Sequence, residues 1–431
     1  MSYASVATTS PLVSSVPIGS VALAPTPFSR PSWAWRASPI ALAGGDFPET
    51  VCSHLGGAGG GAWQIMQYLD RWDAAQLALV CQEFREMTAD YKTFKRWSSP
   101  EWNWPLGRFQ GRVTTLFDGP SAIPATDVDF IAVNSDGGLL IGDKLKDRII
   151  AVSRDESVSR LIASAVSRDS AETFRLSGMV CDKEGSVILA DSLYHRLCSV
   201  SPTGVMASVT GQVLPDDVNL GNLHLPFSAA GSTDGPADSA SFCYPGGLAL
   251  GADGSIYIAD SNNHTIRCLK DGVVTTVAGT AGETGFADGV GPAARFNYLS
   301  GIAATSDGTL FVTEGLNHTI RRISAEGVVT TVAGAAGVEG YADGVGADAR
   351  FNRPAGIVVC ADGLLVADSQ NYTIRHISPS GVVRTLAGLA MRGGHASGLG
   401  AAARFRGPTG LALGPDGSLY VADVATVRRI T

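Results

Sequence analysis

The sequence predicts a mainly β protein: a six-bladed β-propeller closed by a strand that precedes its first repeat, with a small N-terminal α-helical domain ahead of it. Three observations carry this reading. One short string recurs at a fixed period, a lone copy of it stands before the first unit while the last unit lacks it, and a charged, glycine-poor stretch with helical periodicity comes before both. Composition agrees. The 52 glycines among 431 residues are about 12%, against a usual ~7%, and charged residues are 17% against ~25%. With many β-branched residues alongside, this points to numerous short strands joined by tight turns, and it excludes a charged coiled coil. No apolar run approaches the ~18–20 residues that a membrane helix needs.

The strings GVVTTVAG (272–279), GVVTTVAG (327–334) and GVVRTLAG (381–388) recur about 54 residues apart. Between them come FADGVG, YADGVG and HASGLG, then ARFN, ARFN and ARFR. An apolar strand ending in a turn follows, then a strand ending in an acid, then NHTIR, NHTIR and NYTIR. Each unit therefore reads as four short strands. The acids closing the second strands are Asp143, Asp191, Asp260, Glu314, Asp368 and Asp423, at spacings of 48, 69, 54, 54 and 55. An insertion around 212–230 accounts for the long interval. The first two units are degenerate but keep a Gly turn, an acid and an arginine in order (Gly137, Asp143, Arg148; Gly185, Asp191, Arg196). A four-stranded repeat cannot cover its own faces, so the six units stack, and a radial arrangement leaves only short, protected edges. The last unit stops at VRRIT (427–431), its third strand, whereas GRVTTLFD (111–118) supplies the missing fourth. N- and C-terminal strands thus complete one blade together. The acid and the arginine seven residues on are placed to link second and third strands, and the repeated Arg295-Phe296, Arg350-Phe351 and Arg404-Phe405 read as wedges between blades.

These units resemble NHL repeats of the kind with TVAG, a Gly-rich ADGVG loop, ARFNxPxGI and ADxxNHTIR, over roughly 320 residues. Some NHL-type propellers are metal-dependent lyases, and others bind RNA.

Residues 62–97 are charged and nearly free of glycine. Ile65, Met66 and Leu69 fall on one helical face, and Leu77, Val80, Cys81, Phe84 and Met87 on another. Asp73 with Gln76 forms a capping box, and Trp72 with Leu77 suits a hydrophobic staple, so a helix is expected to start at Asp73. The pattern Leu69, Asp70, Leu77, Leu79, Val80, Cys81, Phe84, Arg85 and Phe94 resembles an F-box. It departs at the start, where LGGAGGGA (55–62) stands in place of a Leu-Pro opening. The resemblance implies that Ile65, Leu69, Leu77, Leu79, Val80, Cys81, Phe84 and Phe94 contact a Skp-type adaptor of the cullin–RING ubiquitin ligase machinery. The bland alternative is a helical cap on the propeller.

Residues 1–45 contain no Asp, Glu or Lys and nine serines. They read as a disordered tail, with a plastid transit peptide as the alternative of similar composition. Domains are accordingly expected at 1–54 (tail), 55–105 (helical) and 111–431 (propeller). Seven scattered cysteines without CxxC spacing look like reduced thiols, which suits the cytoplasm or nucleus. The net charge of −8 falls wholly after residue 111, which makes a nucleic-acid partner unlikely.

The sequence therefore points to a non-enzymatic adaptor with no cofactor, membrane partner or catalytic residue, whose propeller loops bind an unknown protein substrate. The loop over 212–243 breaks the repeat symmetry, and Asp216, Asp217, His224 and Asp234 within it, with Asp288 and Asp343 of the later Asp-Gly loops, are the candidate partner-binding residues. One carboxylate in a six-residue loop is too few for calcium, so Asp288-Gly289 and Asp343-Gly344 read as turns. The alternative is a metal-dependent lyase or lactonase using the central channel, with His264 and His318, equivalent in successive blades, as ligands.

Overall fold

The computed structural model describes residues 111–116, 127–154, 159–164, 175–210 and 230–431, all within the unit Pro100–Thr431. The expected helical segment 62–97, with Ile65 through Phe94, lies outside them. Among the described residues there is no α-helix, only short 3-10 turns, and none is long and apolar enough to cross a membrane.

Six antiparallel sheets make six blades. Their first strands are Val128–Val133, Leu176–Cys181, Pro245–Leu250, Leu299–Ala304, Pro354–Cys360 and Pro408–Leu413, each packed on the first strands of its two neighbours. Second and third strands follow by hairpins, as in Ile256–Asp260 and Thr265–Lys270 of blade three. The sixth blade closes as its repeat pattern requires. Arg112–Thr115 pairs antiparallel with Thr426–Ile430, Val113 opposite Ile430 and Thr115 opposite Arg428. Gly111 opens this strand at φ 66°, close to Gly327 (78°) and Gly381 (77°), which open the corresponding strands. Its carbonyl accepts from Gly400 N, as those of Gly327 and Gly381 accept from Gly291 N and Gly346 N. The closing strand is thus equivalent to the other fourth strands in conformation as well as in sequence.

The expectation of four strands per blade is corrected in blades three to six, which have five. The segments expected to be turns form two-residue edge strands: Gly235–Pro236, Gly289–Val290, Gly344–Val345 and Gly398–Leu399. Each pairs with the fourth strand of the blade it leads into, as Gly289 does with Val329. A loop leaving one blade therefore crosses to cover the outer edge of the next before entering its first strand. That covers an edge that would otherwise present unpaired backbone groups.

Blades meet through apolar wedges and polar bridges. Phe242, Phe296, Phe351 and Phe405 are fully buried. Phe296 lies among Ile266 and Ala278 of blade three and Leu310, Val312 and Ile323 of blade four. A hydrogen bond crosses every junction. Ser177 Oγ donates to Pro245 O (2.6 Å), Ser261 Oγ to Leu299 O (2.8 Å), Thr313 Oγ1 to Ala355 O (2.5 Å), Ser369 Oγ to Pro408 O, and Thr409 Oγ1 to Asp129 O (3.1 Å), while Leu176 N donates to Asp147 Oδ1 (3.2 Å).

Near the axis the first strands approach so closely that a Cβ at Gly178, Gly247, Gly301, Gly356 or Gly410 would collide with a carbonyl oxygen of the next blade. The first blade has Phe130 at this place. Its ring packs into the cluster shared with blade two, among Leu176 and Met179. Room for it comes from Gly142, where the other second strands carry Ala or Thr; a Cβ there would stand 3.0 Å from Phe130 Cβ.

Candidate functional site

The residues that the repeat makes most conspicuous are turned inward. Arg321, fully buried, donates from Nη1 to Glu314 Oε2 (2.9 Å) and Arg295 O (3.2 Å), and from Nη2 to Ala287 O (2.7 Å) and Asp288 Oδ1 (2.6 Å). Asp288 in turn accepts from Thr331 N (3.2 Å) and Thr331 Oγ1 (3.0 Å) of the fourth strand. Phe286 and Phe296 lie 4.7 and 5.2 Å from the guanidinium carbon, within cation–π range. One planar guanidinium thus joins the second strand, the crossing loop and its edge, a role suited to the fixed fork of arginine. Arg375 repeats the arrangement with Asp368 (2.7 Å) and Asp343 (2.8 Å), and Arg267 with Asp260 (2.9 Å) and Asp234 (2.6 Å).

Asp234, Asp288 and Asp343, expected to meet a partner, are therefore placed as clamps on the outer edges of their own blades, with side chains still about half exposed. Asp216, Asp217 and His224 lie outside the described residues. Burial pushes the carboxyls of Asp260 and Asp368 up to about 6, against the opposing pull of the asparagine, backbone and arginine donors around each. In blades one and two the arginine of the sequence pattern occupies a different place. Arg148 and Arg196 stand directly opposite their acids, where Thr265 stands in blade three. Ile150 and Cys198 take the position of Arg267.

His264 and His318 occupy equivalent turns between second and third strands, at φ 57° and 58°, with His195 (53°), Tyr372 (60°) and Asp147 (41°) at the same place in other blades. His195 Nδ1 accepts from Tyr244 N and His318 Nδ1 from Arg353 N, both at 3.1 Å. These imidazoles tie one blade to the next. Burial holds His195, His264 and His318 below the ordinary imidazole range, which favours the neutral form that lets His195 and His318 accept.

Two features of this face were not singled out from sequence. The first is the charged group of blade one. Lys144 Nζ bonds Asp129 Oδ2 at 2.7 Å, and Asp129 stands where other first strands carry Ser, Gly, Ala or Thr. Burial alone would lower the Lys144 ammonium, but Asp129 and Asp127 outweigh it and hold it above its ordinary value, with a further contribution from Tyr298. Tyr298 belongs to blade four, opposite blade one in the order of the ring. Burial and the Asp129 charge raise Asp127. The second feature is apolar. By strand direction, the turns between second and third strands and the loops from fourth to first strand share one face. That face exposes Leu145 (71%), Met391 (59%), Tyr298 (52%), Val338 (48%), Tyr244 (47%) and Leu316 (42%). The signal for both was where blade one departs from the repeat and which apolar positions fall in turns.

Residues 242–269 match the NHL repeat. Among curated proteins, the chain is 34% identical over 153 residues to Protein SUPPRESSOR OF QUENCHING 1, chloroplastic, of Arabidopsis thaliana, which covers 32% of this chain and 14% of that protein. It is 31% identical over 151 residues to NHL repeat-containing protein 2 of Bos taurus, covering 32% of this chain and 21% of that one. The match thus spans about a fifth or less of these relatives. Among solved structures, a structural genomics protein of unknown function from Bacteroides thetaiotaomicron superposes with a TM-score of 0.55 at 14% identity, over 74% of this chain and 75% of that one. At that identity the likeness is one of fold. This chain is a six-bladed β-propeller that carries an NHL repeat.

Proposed function

We propose that the chain is a non-catalytic protein-interaction adaptor whose propeller binds its target on the face bearing Leu145, Tyr298, Leu316 and Met391. The observation that carries this is the division of labour among side chains. The polar repeat residues brace the blades internally, whereas this face displays apolar and aromatic groups and also carries the Lys144–Asp129 pair. Large exposed apolar side chains rimmed by charge are the usual mark of a protein-binding surface. Relatives named as NHL repeat-containing proteins fit a repeat scaffold of this kind.

The F-box-like pattern at 62–97 gives the finer reading: a substrate-recognition subunit of a Skp–cullin–F-box ubiquitin ligase, the helical segment recruiting the adaptor and the propeller the substrate. The test is co-purification of the full chain with a Skp-type adaptor, wild type against Leu79→Asp plus Val80→Asp. Retention by the wild type and loss by the variant supports the ligase assignment, and failure of both to retain the adaptor removes it. That assignment also requires the cytoplasm or nucleus. The acid-poor residues 1–45 and a chloroplastic relative support a plastid setting as the second reading. A reporter fused to residues 1–60 separates the two, since plastid import contradicts the ligase.

A further inference from the structure

In five blades, five residues lie between the last ladder pair of the first and second strands: Val133 and Leu139, Cys181 and Val187, Leu250 and Ile256, Ala304 and Leu310, Leu413 and Leu419. Blade five has four residues between Val359 and Leu364, and its tighter hairpin adds the pair Cys360–Gly363. Gly363 takes φ 140°, where a Cβ would also strike Ile377 O. This shortening draws the turn onto the third strand. Asp362 Oδ1 lies 3.2 Å from Cys360 Sγ and 3.3 Å from His376 Nε2, and the three donor atoms all fall within 4.8 Å of one another.

We propose that Cys360, Asp362 and His376 form a binding site for a thiophilic divalent cation, best suited to zinc. Thiolate, imidazole and carboxylate together are a zinc donor set, and three protein ligands leave the fourth tetrahedral position to water. With zinc bonds of ~2.0–2.3 Å, ligand atoms at a tetrahedral centre stand about 3.3–3.5 Å apart, close to the two separations above. Cys360 is buried while the side chains of His376 and Asp362 are 19% and 32% exposed, so the site has a dry thiol side and an open water side. Burial, with the Asp362 charge adding to it, raises the Cys360 thiol, which is protonated without a cation. Binding forms the metal–sulfur bond and releases that proton to solvent. His376 coordinates through Nε2 as the Nδ1–H tautomer and gives up its contact with Asp362 O at 3.2 Å. The site lies at the end of the blade opposite the proposed protein-binding face and does not depend on that reading.

The test uses the purified, reduced full chain with cobalt(II) as the spectroscopic probe and zinc as competitor. The expected result is a thiolate-to-cobalt absorption band in the near ultraviolet, abolished by zinc and absent in Cys360→Ala. Cys181→Ser and Cys268→Ser should keep the band. Asp362→Ala, on the exposed turn, should weaken cobalt binding at least ~10-fold, the scale set by loss of even an outer-shell partner. No band in the wild type, a band that survives Cys360→Ala, or unchanged affinity in Asp362→Ala overturns the proposal. If Cys360→Ala does not fold, the Asp362→Ala affinity decides.

Discussion

Arg321 shows how single residues hold this ring together. Its guanidinium joins a buried glutamate, two carbonyls and a half-exposed aspartate in one plane. Removing one member of such a group leaves the other charge buried without its partner. Arg321→Met should therefore cost about 3–5 kcal/mol in chemical denaturation, because Glu314 stays behind. Asp288→Asn, at the exposed end, should cost much less. The histidine bridges add a dependence on pH. Since burial depresses the folded-state values of His195 and His318 below 6.5, their contribution is complete above the unfolded value and is lost as pH falls through the depressed one. Protonation also removes the acceptor for Tyr244 N and Arg353 N. Asp260 and Asp368, raised to about 6, contribute with the opposite sign over the same range, so the bridge is read as a difference: on acidification from about pH 7 to 5 the wild type should lose melting temperature relative to His318→Gln, whose amide oxygen accepts without titrating. An equal slope in that variant would show that the bridge is not responsible.

At the scale of strands, Phe130 and Gly142 make a matched pair. Gly142→Ala should destabilise by ~1–3 kcal/mol through overpacking against Leu176 and Phe130, both of which an added Cβ would meet. Combining it with Phe130→Gly, the arrangement in the other blades, should recover part of that loss, and a double-mutant cycle reads the coupling. Additive effects would mean the two residues do not share space. This pair also marks how far the sequence could be read. The fourth strands and the closing strand at 112–115 were legible because GVVTTVAG recurs almost unchanged and GRVTT copies its pattern. The edge strands at 289–290 and 344–345 were not, because Asp-Gly is a strong turn former by itself and only the neighbouring fourth strand makes it a strand. Acid–arginine spacing misplaced Arg148 and Arg196, since five residues can mean a direct cross-strand pair as in blade one or a shortened hairpin as in blade six. The phenylalanine wedges were readable from their phase. Lys144 with Asp129, and Cys360 with His376, were not, because they meet only through strand pairing.

For the whole molecule, closure is the property that makes six marginal sheets one body. Val113 is buried in the cluster shared with Leu365, Phe405 and Ile430, so deleting residues 1–116 removes core as well as an edge. The deletion should lower the melting temperature, broaden the transition and promote aggregation through the uncovered Thr426–Ile430 strand, whereas a deletion ending before Gly111 should retain cooperative unfolding. Equal behaviour of the two truncations would mean the ring does not need its N-terminal strand.

The closed ring in turn holds the apolar face rigid, and the functional claim rests on that face. Affinity purification of the full chain with quantitative mass spectrometry, comparing wild type, Tyr298→Glu plus Met391→Glu, and the outer-edge variant Val273→Glu, tests it directly. Partners retained by the wild type and by Val273→Glu but lost from the face variant are the predicted result. Partners retained equally by all three proteins, or lost only from Val273→Glu, would contradict it.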